Sequence, residues 1–322
     1  MGTPVLLLDA GMGGSSYVWQ QVQHALAAQT RVCAYDRAGV GFSDPSPHPA
    51  DVVHIVADLH RLIRSKAIGA PVVYVGHSIA GLYGIRLAAD FPDDVAGEVL
   101  VDPAIAGQFE RATAILPPAI KTSVLRARQQ AVDRLATCLK LARRHRLSAP
   151  QTETERACVE TDETLDPVLR DSLARQYATV ADQAANLSEL RSAAGGSSPS
   201  LDEQQVLGVH PVFGDKPLTV LTAGKQIHAP GVTADQAIVL ERMGKEAHDR
   251  LAQLSQDGRS ILVPDSGHFI QGDQPGVVIA EVTAVLEKAR HRPPDAPGSP
   301  AGLEKRTDSI SGGATSPAGR PR

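Results

Sequence analysis

The chain has 322 residues, 42% of them hydrophobic and 21% charged, with a formal net charge of -4 and a pI near 6.3. That apolar content excludes global disorder, and the charge offers no basic field for nucleic acid or an anionic membrane. Three widely spaced cysteines exclude a disulfide scaffold and a CxxC zinc or redox motif.

The length suits two domains, or one large α/β domain carrying an insertion. Apolar runs such as 5–8 and 72–75 are strand-sized, so no transmembrane segment is expected. Met-Gly-Thr-Pro runs straight into the first of them with no charged n-region. No signal peptide is therefore read, and the default location is cytoplasmic; an incomplete start would leave an exported form open.

Residues 5–10 predict a strand, followed by a turn rich in glycine at Gly11, Gly13 and Gly14. A helix over 18–29 and a strand over 31–36 come next. Residues 51–66 are amphipathic, with Val52, Ile55, Val56, Leu59, Leu62 and Ile63 at helical spacing. A strand over 72–75 runs into Gly76-His77-Ser78 and a helix that stops at Asp90, before Pro92. The strand over 97–101 ends at Asp102-Pro103. This alternation argues for parallel pairing in right-handed βαβ units.

Between 104 and 216 the rhythm breaks into a mostly helix-forming stretch with no clear strand. Residues 119–146 hold eight Lys and Arg against Asp133, and 151–171 hold seven acids against two Arg. The simplest expectation is a basic and an acidic segment packed as a pair. Residues 193–200 (AAGGSSPS) read as a flexible connector. Strand and helix alternation then resumes with strands over 218–223 and 260–263 and helices over 233–254 and 277–289. The stretch 291–322 has six Pro, five Gly and four Ser, and Leu303 and Ile310 are its large aliphatics. Too little apolar area is available there to offset ordering, so it reads as a disordered tail.

Two short segments carry chemistry. Gly76-His77-Ser78-Ile79-Ala80-Gly81 follows a strand and opens a helix, the setting of a nucleophile elbow, although Ala80 departs from the usual glycine. A serine capping a helix after a glycine turn is the blander alternative. Asp265-Ser266-Gly267-His268-Phe269 follows the last strand, which puts His268 on the same sheet edge as Ser78, where open α/β sheets bind ligands. His54 and His60 share a helix with Asp51 and Asp58, but that face reads as solvated rather than as a metal site.

Over residues 3–290 the sequence resembles the α/β-hydrolase family. Four motifs carry the likeness: Leu8-Asp9-Ala10-Gly11-Met12-Gly13, Asp36-Arg37-Ala38-Gly39-Val40-Gly41-Phe42-Ser43, the elbow, and Ser266-Gly267-His268. The resemblance implies a mostly parallel sheet flanked by helices, with a hydrolase core at 1–103 and 217–290, a helical cap insertion at 104–216, and the two usual N-terminal strands missing. It implies Ser78 as nucleophile, His268 as general base, and the backbone N–H groups of Ile79 and Met12 as an oxyanion hole. Asp36 and Arg37 would brace a loop, and Trp19 and Phe42 would pack. Cys33 would be core. Cys138 and Cys158 could pair in an exported protein or remain buried thiols.

The third member of the triad departs from the family pattern. Relatives place an acid after the penultimate strand, but Leu221-Thr222-Ala223-Gly224-Lys225-Gln226-Ile227-His228 has none. Asp102, at the end of the preceding strand, is the first choice, ahead of Asp235, Asp265 and Asp215. The expected function is a serine hydrolase of a carboxylic ester or related acyl compound, acting on a small molecule without metal or cofactor and without nucleic acid. Acyl transfer, carbon–carbon hydrolysis or perhydrolysis on the same pair, and a non-catalytic binding module, stay open. Haloalkane dehalogenase and epoxide hydrolase chemistry is disfavoured, because both need a carboxylate where Ser78 stands.

Overall fold

The computed structural model describes residues 3–194, 199–211 and 213–292. Six strands form one parallel sheet in the order β2-β1-β3-β4-β5-β6: β1 (Val5–Asp9), β2 (Val32–Ala34), β3 (Val72–His77), β4 (Val95–Val101), β5 (Leu218–Ala223) and β6 (Gly258–Val263). The inner strands are near-continuous runs of Val and Leu because helices cover both faces. Side chains alternate across the sheet. Leu7, Tyr74, Leu100 and Val220 join one core, and Leu6, Leu8, Val73, Val75, Val99, Val101 and Leu221 join the other.

Helices α1 (Gln20–Leu26), α2 (Val52–Arg64) and α3 (Ala80–Asp90) belong to the first half of the chain. Between β4 and β5 lie α4 (Gln108–Ala114), α5 (Pro118–Arg143), α6 (Glu153–Ala157), α7 (Pro167–Tyr177), α8 (Val180–Ala194) and α9 (Leu201–Val206), with no strand among the described residues. Helices α10 (Ala234–Ala252), α11 (Ile270–Asp273) and α12 (Pro275–His291) complete the order. Buried residues of α2 and α3 pack on the first core, and those of α1 and α12 on the second. No described helix is long and apolar enough to cross a membrane. Residues 195–198 of the expected connector and 293–322 of the expected tail lie outside the described residues.

Five expectations need correction. The 18–29 helix begins as a 3-10 turn, Ser16–Trp19, and α1 ends at Leu26. The main partner of the long basic helix α5 is α8, because Val132 and Leu139 need an apolar face, which Leu187 and Leu190 supply; the acidic segment packs only on the end of α5, where Cys138 and Ala142 meet Cys158 and Val159. The two charged stretches also meet through Arg146 and Glu155 at 2.7 Å and through a disulfide between Cys138 and Cys158. Phe42 is 69% exposed rather than packed, while Trp19 is buried. The face of α2 is not simply solvated, since buried Asp51 caps the helix by accepting from His54 N–H, and His60 pairs with buried Asp94. Cys33 is only partly buried, on a short strand at the sheet edge.

Glu98 sits in the middle of β4, fully buried, and neither carboxyl oxygen has a hydrogen-bond partner among the described residues. Burial pushes its pKa up to about 8, only partly offset by Lys216. The unfolded chain releases this proton near 4.5, so it binds fewer protons than the native state between those values, and stability falls as pH rises through that window. Glu98→Gln removes the dependence. Urea denaturation is expected to find the variant close to the parent at pH 5 and more stable at pH 8, by up to about 3–5 kcal/mol.

Candidate active site

At the end of β3 the chain turns sharply at Ser78, whose φ of 57° lies in the left-handed region. Ile79 returns to helical angles and α3 begins at Ala80. Only small neighbours fit. A Cβ on Gly76 would stand 3.0 Å from the Ala80 carbonyl oxygen, and one on Gly81 would overlap the Pro103 ring. Asp102, at the end of the adjacent β4, also has a positive φ, 42°. The two bends are tied together. Ser78 N–H donates to Val101 O at 3.0 Å, and Ala104 N–H donates to Ser78 O at 2.8 Å.

Asp102 is held from both ends. Its N–H donates to Leu221 O at 2.8 Å, and its Oδ1 accepts from Ala223 N–H at 2.9 Å. That leaves Oδ2 for His268 Nδ1, 2.6 Å away, while His268 Nε2 lies 2.9 Å from Ser78 Oγ. The structure thus brings Ser78, His268 and Asp102 into one line. The other candidate acids lie elsewhere. Asp265 faces Lys225 with its side chain 80% exposed, Asp235 is in the first turn of α10, and Asp215 precedes β5 at the opposite end of that strand.

The loop after β6 is set by contacts around His268. Gly267 N–H donates to Asp273 Oδ2 at 2.8 Å, and Lys225 N–H donates to Ser266 O at 2.8 Å. His77 Nε2–H donates to His268 O at 2.9 Å, which ties the elbow to the loop. Burial pushes the His77 pKa down to about 4, so this ring stays neutral at ordinary pH. Burial alone would raise the Asp102 carboxyl. Hydrogen bonds from His268 and the Ala223 amide, with the His268 and His248 rings nearby, instead hold it below the usual carboxylate value. An ionised Asp102 only accepts, so the imidazole proton belongs on Nδ1, and the Nε2 lone pair is left facing the Ser78 hydroxyl.

The two amides expected to form an oxyanion hole adjoin the serine. Ile79 is the N-cap of α3, and amides at this end of a helix have no intrahelical acceptor. Met12 follows Gly11, at which a Cβ would stand 3.3 Å from Ser78 Cβ and 2.8 Å from His77 Nδ1. Asp36 and Arg37 both hold loops. Asp36 accepts from Ser16 N–H at 2.6 Å and Phe42 N–H at 3.0 Å, and Arg37 donates to Asp9, Ala10 O and Gly11 O. A cleft of about 660 Å³ opens over Ser78, Asp102 and His268, walled by Gln108, Arg111 and Ala112 of α4 and by Ile238 and Lys245 of α10. Among the described residues no group of three or more His, Cys, Asp or Glu is placed to hold a metal.

Sequence reasoning missed three residues around the site. His77 entered only as a letter in the elbow. His248 of α10 is buried between Thr222 Oγ1, 2.8 Å from its Nδ1, and Pro103 O, 3.0 Å from its Nε2, and so braces the Asp102 bend against β5. Glu189 of α8 reaches Arg37 at 2.9 Å. The last two have no local sequence signal, because their partners are remote in the chain.

The clash at Gly81 yields a direct test of this packing. Gly81→Ala forces α3 away from Pro103 and is expected to cost about 1–3 kcal/mol, read as a lower urea midpoint at unchanged m value.

A model of the alpha/beta hydrolase family matches residues 5–282. Over 299 residues, 89% of its length, the chain is 26% identical to a Hormonema carpetanum protein named "Probable transporter efuK". A 101-residue stretch, 31% of the chain, is 37% identical to "Putative carbamate hydrolase RutD" of Azorhizobium caulinodans. The matches span 40% and 37% of those two curated relatives, well under half of each. A thermophilic esterase from Thermogutta terrifontis shares the fold, with 19% identity and a TM-score of 0.52 over 89% of this chain and 90% of the esterase. With a six-stranded parallel sheet, helices on both faces and a family match across nearly its whole length, the chain belongs to the alpha/beta hydrolase family.

Proposed function

We propose that this protein is a serine hydrolase that cleaves a carboxylic ester or related acyl compound through an acyl-enzyme. The observation that carries the reading is the unbroken hydrogen-bonded line from Ser78 Oγ through His268 to Asp102, with distances of 2.9 and 2.6 Å. Ser78 Oγ attacks the acyl carbon while its proton passes to His268 Nε2, and the carbonyl π electrons move onto oxygen. The Ile79 and Met12 amides receive that oxyanion, each worth about 3 kcal/mol of transition-state stabilisation. Collapse of the adduct breaks the bond to the alcohol, which takes the proton from His268. A water molecule, deprotonated by the same ring, then attacks the acyl-enzyme and restores Ser78. Asp102 holds the tautomer and stabilises the imidazolium.

Family membership supports hydrolysis as the reaction class. A carbamate, the group in the name of the RutD relatives, presents the same kind of acyl carbon. The core consists of 1–103 and 217–290. The helices of 104–216 act as a cap, since α4 supplies a wall of the cleft that limits water and substrate size. The Cys138–Cys158 bond favours the exported alternative over the cytoplasmic default, because reducing compartments do not preserve such bonds.

A fluorophosphonate probe is expected to label the wild-type protein on Ser78 and to leave Ser78→Ala unlabelled. Asp102→Asn, with the tautomer no longer held, should lower kcat on a p-nitrophenyl ester by about 10³–10⁴ with little change in KM. A folded wild-type protein that is never labelled overturns the reading.

A further inference from the structure

The loop that carries the Met12 amide closes one turn of its own, Gly14 N–H donating to Gly11 O at 3.0 Å, and is otherwise held from outside. The Gly11 carbonyl and the Met12 N–H belong to one planar trans peptide and point in opposite directions. Arg37 Nη2 also donates to Gly11 O, at 2.6 Å, so the guanidinium and the turn bond together fix the direction in which Met12 N–H points. The next peptide is fixed as well, because Gly13 N–H donates to Glu189 Oε2 at 3.0 Å. The same carboxylate holds Arg37, with Oε1 2.9 Å from Nη2, and accepts from Tyr83 OH at 2.9 Å. Glu189 is 1% exposed and sits on α8, within the helical insertion, 176 residues from Gly13.

We infer that Glu189 is a positioning residue for the oxyanion donor: its two oxygens hold the peptide planes on both sides of Met12, one directly and one through Arg37. The inference rests on the serine-hydrolase reading and extends it. It makes the helical insertion more than a lid, because α8 must be docked for the amide to point at a substrate oxygen. Gly13 has a φ of 68°, a conformation glycine adopts freely, so beyond the Gly14 to Gly11 turn bond it is the Glu189 bond that holds this peptide's direction.

The test compares Glu189→Gln and Tyr83→Phe with the parent on a p-nitrophenyl ester, together with inhibition by an alkylboronic acid, whose tetrahedral serine adduct presents an oxygen to the same amides. Gln replaces one acceptor oxygen with an NH₂ group, which sets a donor against either Gly13 N–H or Arg37. Expected for Glu189→Gln are a kcat lower by about tenfold to a hundredfold, a KM within about twofold, and boronate affinity that falls in step with kcat. Tyr83→Phe removes a different partner of the carboxylate, so it should lower thermal stability without lowering kcat. Should Glu189→Gln fail to fold, Glu189→Asp takes its place, keeping the charge but withdrawing it from Gly13 by one methylene. Unchanged kcat and boronate affinity overturn the inference, as does a kcat loss that Tyr83→Phe matches at equal loss of stability. A wild-type protein inert to both ester and fluorophosphonate overturns the underlying serine-hydrolase reading itself, and the role of Glu189 with it.

Discussion

The constraint on which this structure most depends is the burial of a whole guanidinium. Arg37 is 6% exposed, and a charge taken out of water at that depth is tolerated only if most of its donors meet acceptors, as Nη1 and Nη2 do here while Nε has none among the described residues. Asp9, the last residue of β1, accepts from Arg37 Nη1 at 2.6 Å and from the hydroxyls of Tyr35 and Tyr74 at 2.7 Å each. Burial alone would favour the neutral guanidine, but Glu189 and Asp9 more than compensate and hold Arg37 charged. Four segments distant in sequence therefore meet at one charge: the end of β1, the loop after β2, the middle of β3 and helix α8.

The helices between β4 and β5 are attached to the rest of the chain in a related way. Beside their apolar contacts, they offer acceptors to backbone amides that the loop before α2 and the first turn of α2 leave open. Asp182 Oδ1 accepts from Gly41 N–H at 3.2 Å, Ser188 Oγ from Ala50 N–H at 2.9 Å, and Asp202 Oδ1 from Val52 N–H at 3.1 Å. Helix N-termini and irregular loops need such partners because they have no ladder of their own. Desolvation pushes Asp182 up to about 6 and Asp202 up to about 7, with the Val52 amide opposing it at Asp202 and the Gly41 amide at Asp182. The contact of these helices with α2 and the loop before it is thus polar and directional as well as apolar.

Where local sequence sufficed, the reading and the structure agree closely. Val72–His77 is legible as a buried strand from its β-branched run, and α3 ends at Asp90 because Pro92 follows. Gly76 and Ala80 are legible as the small neighbours a tight bend requires, while the need for Gly81 comes from Pro103, remote in the chain. What local sequence could not supply were pairings across long separations. The basic charge of α5 drew attention to an acidic partner, yet solvated charges contribute little to packing, and the apolar stripe of Val132 and Leu139 chose α8. Glu189 looks like any surface glutamate on a helix until α8 is laid against the β1 loop. The Asp102 candidacy arose from the lack of a carboxylate after β5 together with its own place at the end of the preceding strand.

The geometry of the sheet explains why that position suffices. β4 lies between β3, which ends at the serine, and β5, and the acid is bonded to β5 through Leu221 O and Ala223 N–H. A carboxylate there is anchored by main chain, so it needs no side-chain support from the segment after β5. That segment is used differently. A Cβ on Gly224 would stand 2.5 Å from Pro264 Cα, so the ends of β5 and β6 approach as only glycine permits, and Lys225 N–H then binds Ser266 O. This close approach draws the loop after β6 inward and carries His268 across the end of β5 to Asp102 and Ser78. Asp102, after β4, meets the imidazole where the crossing delivers it, 2.6 Å from Nδ1.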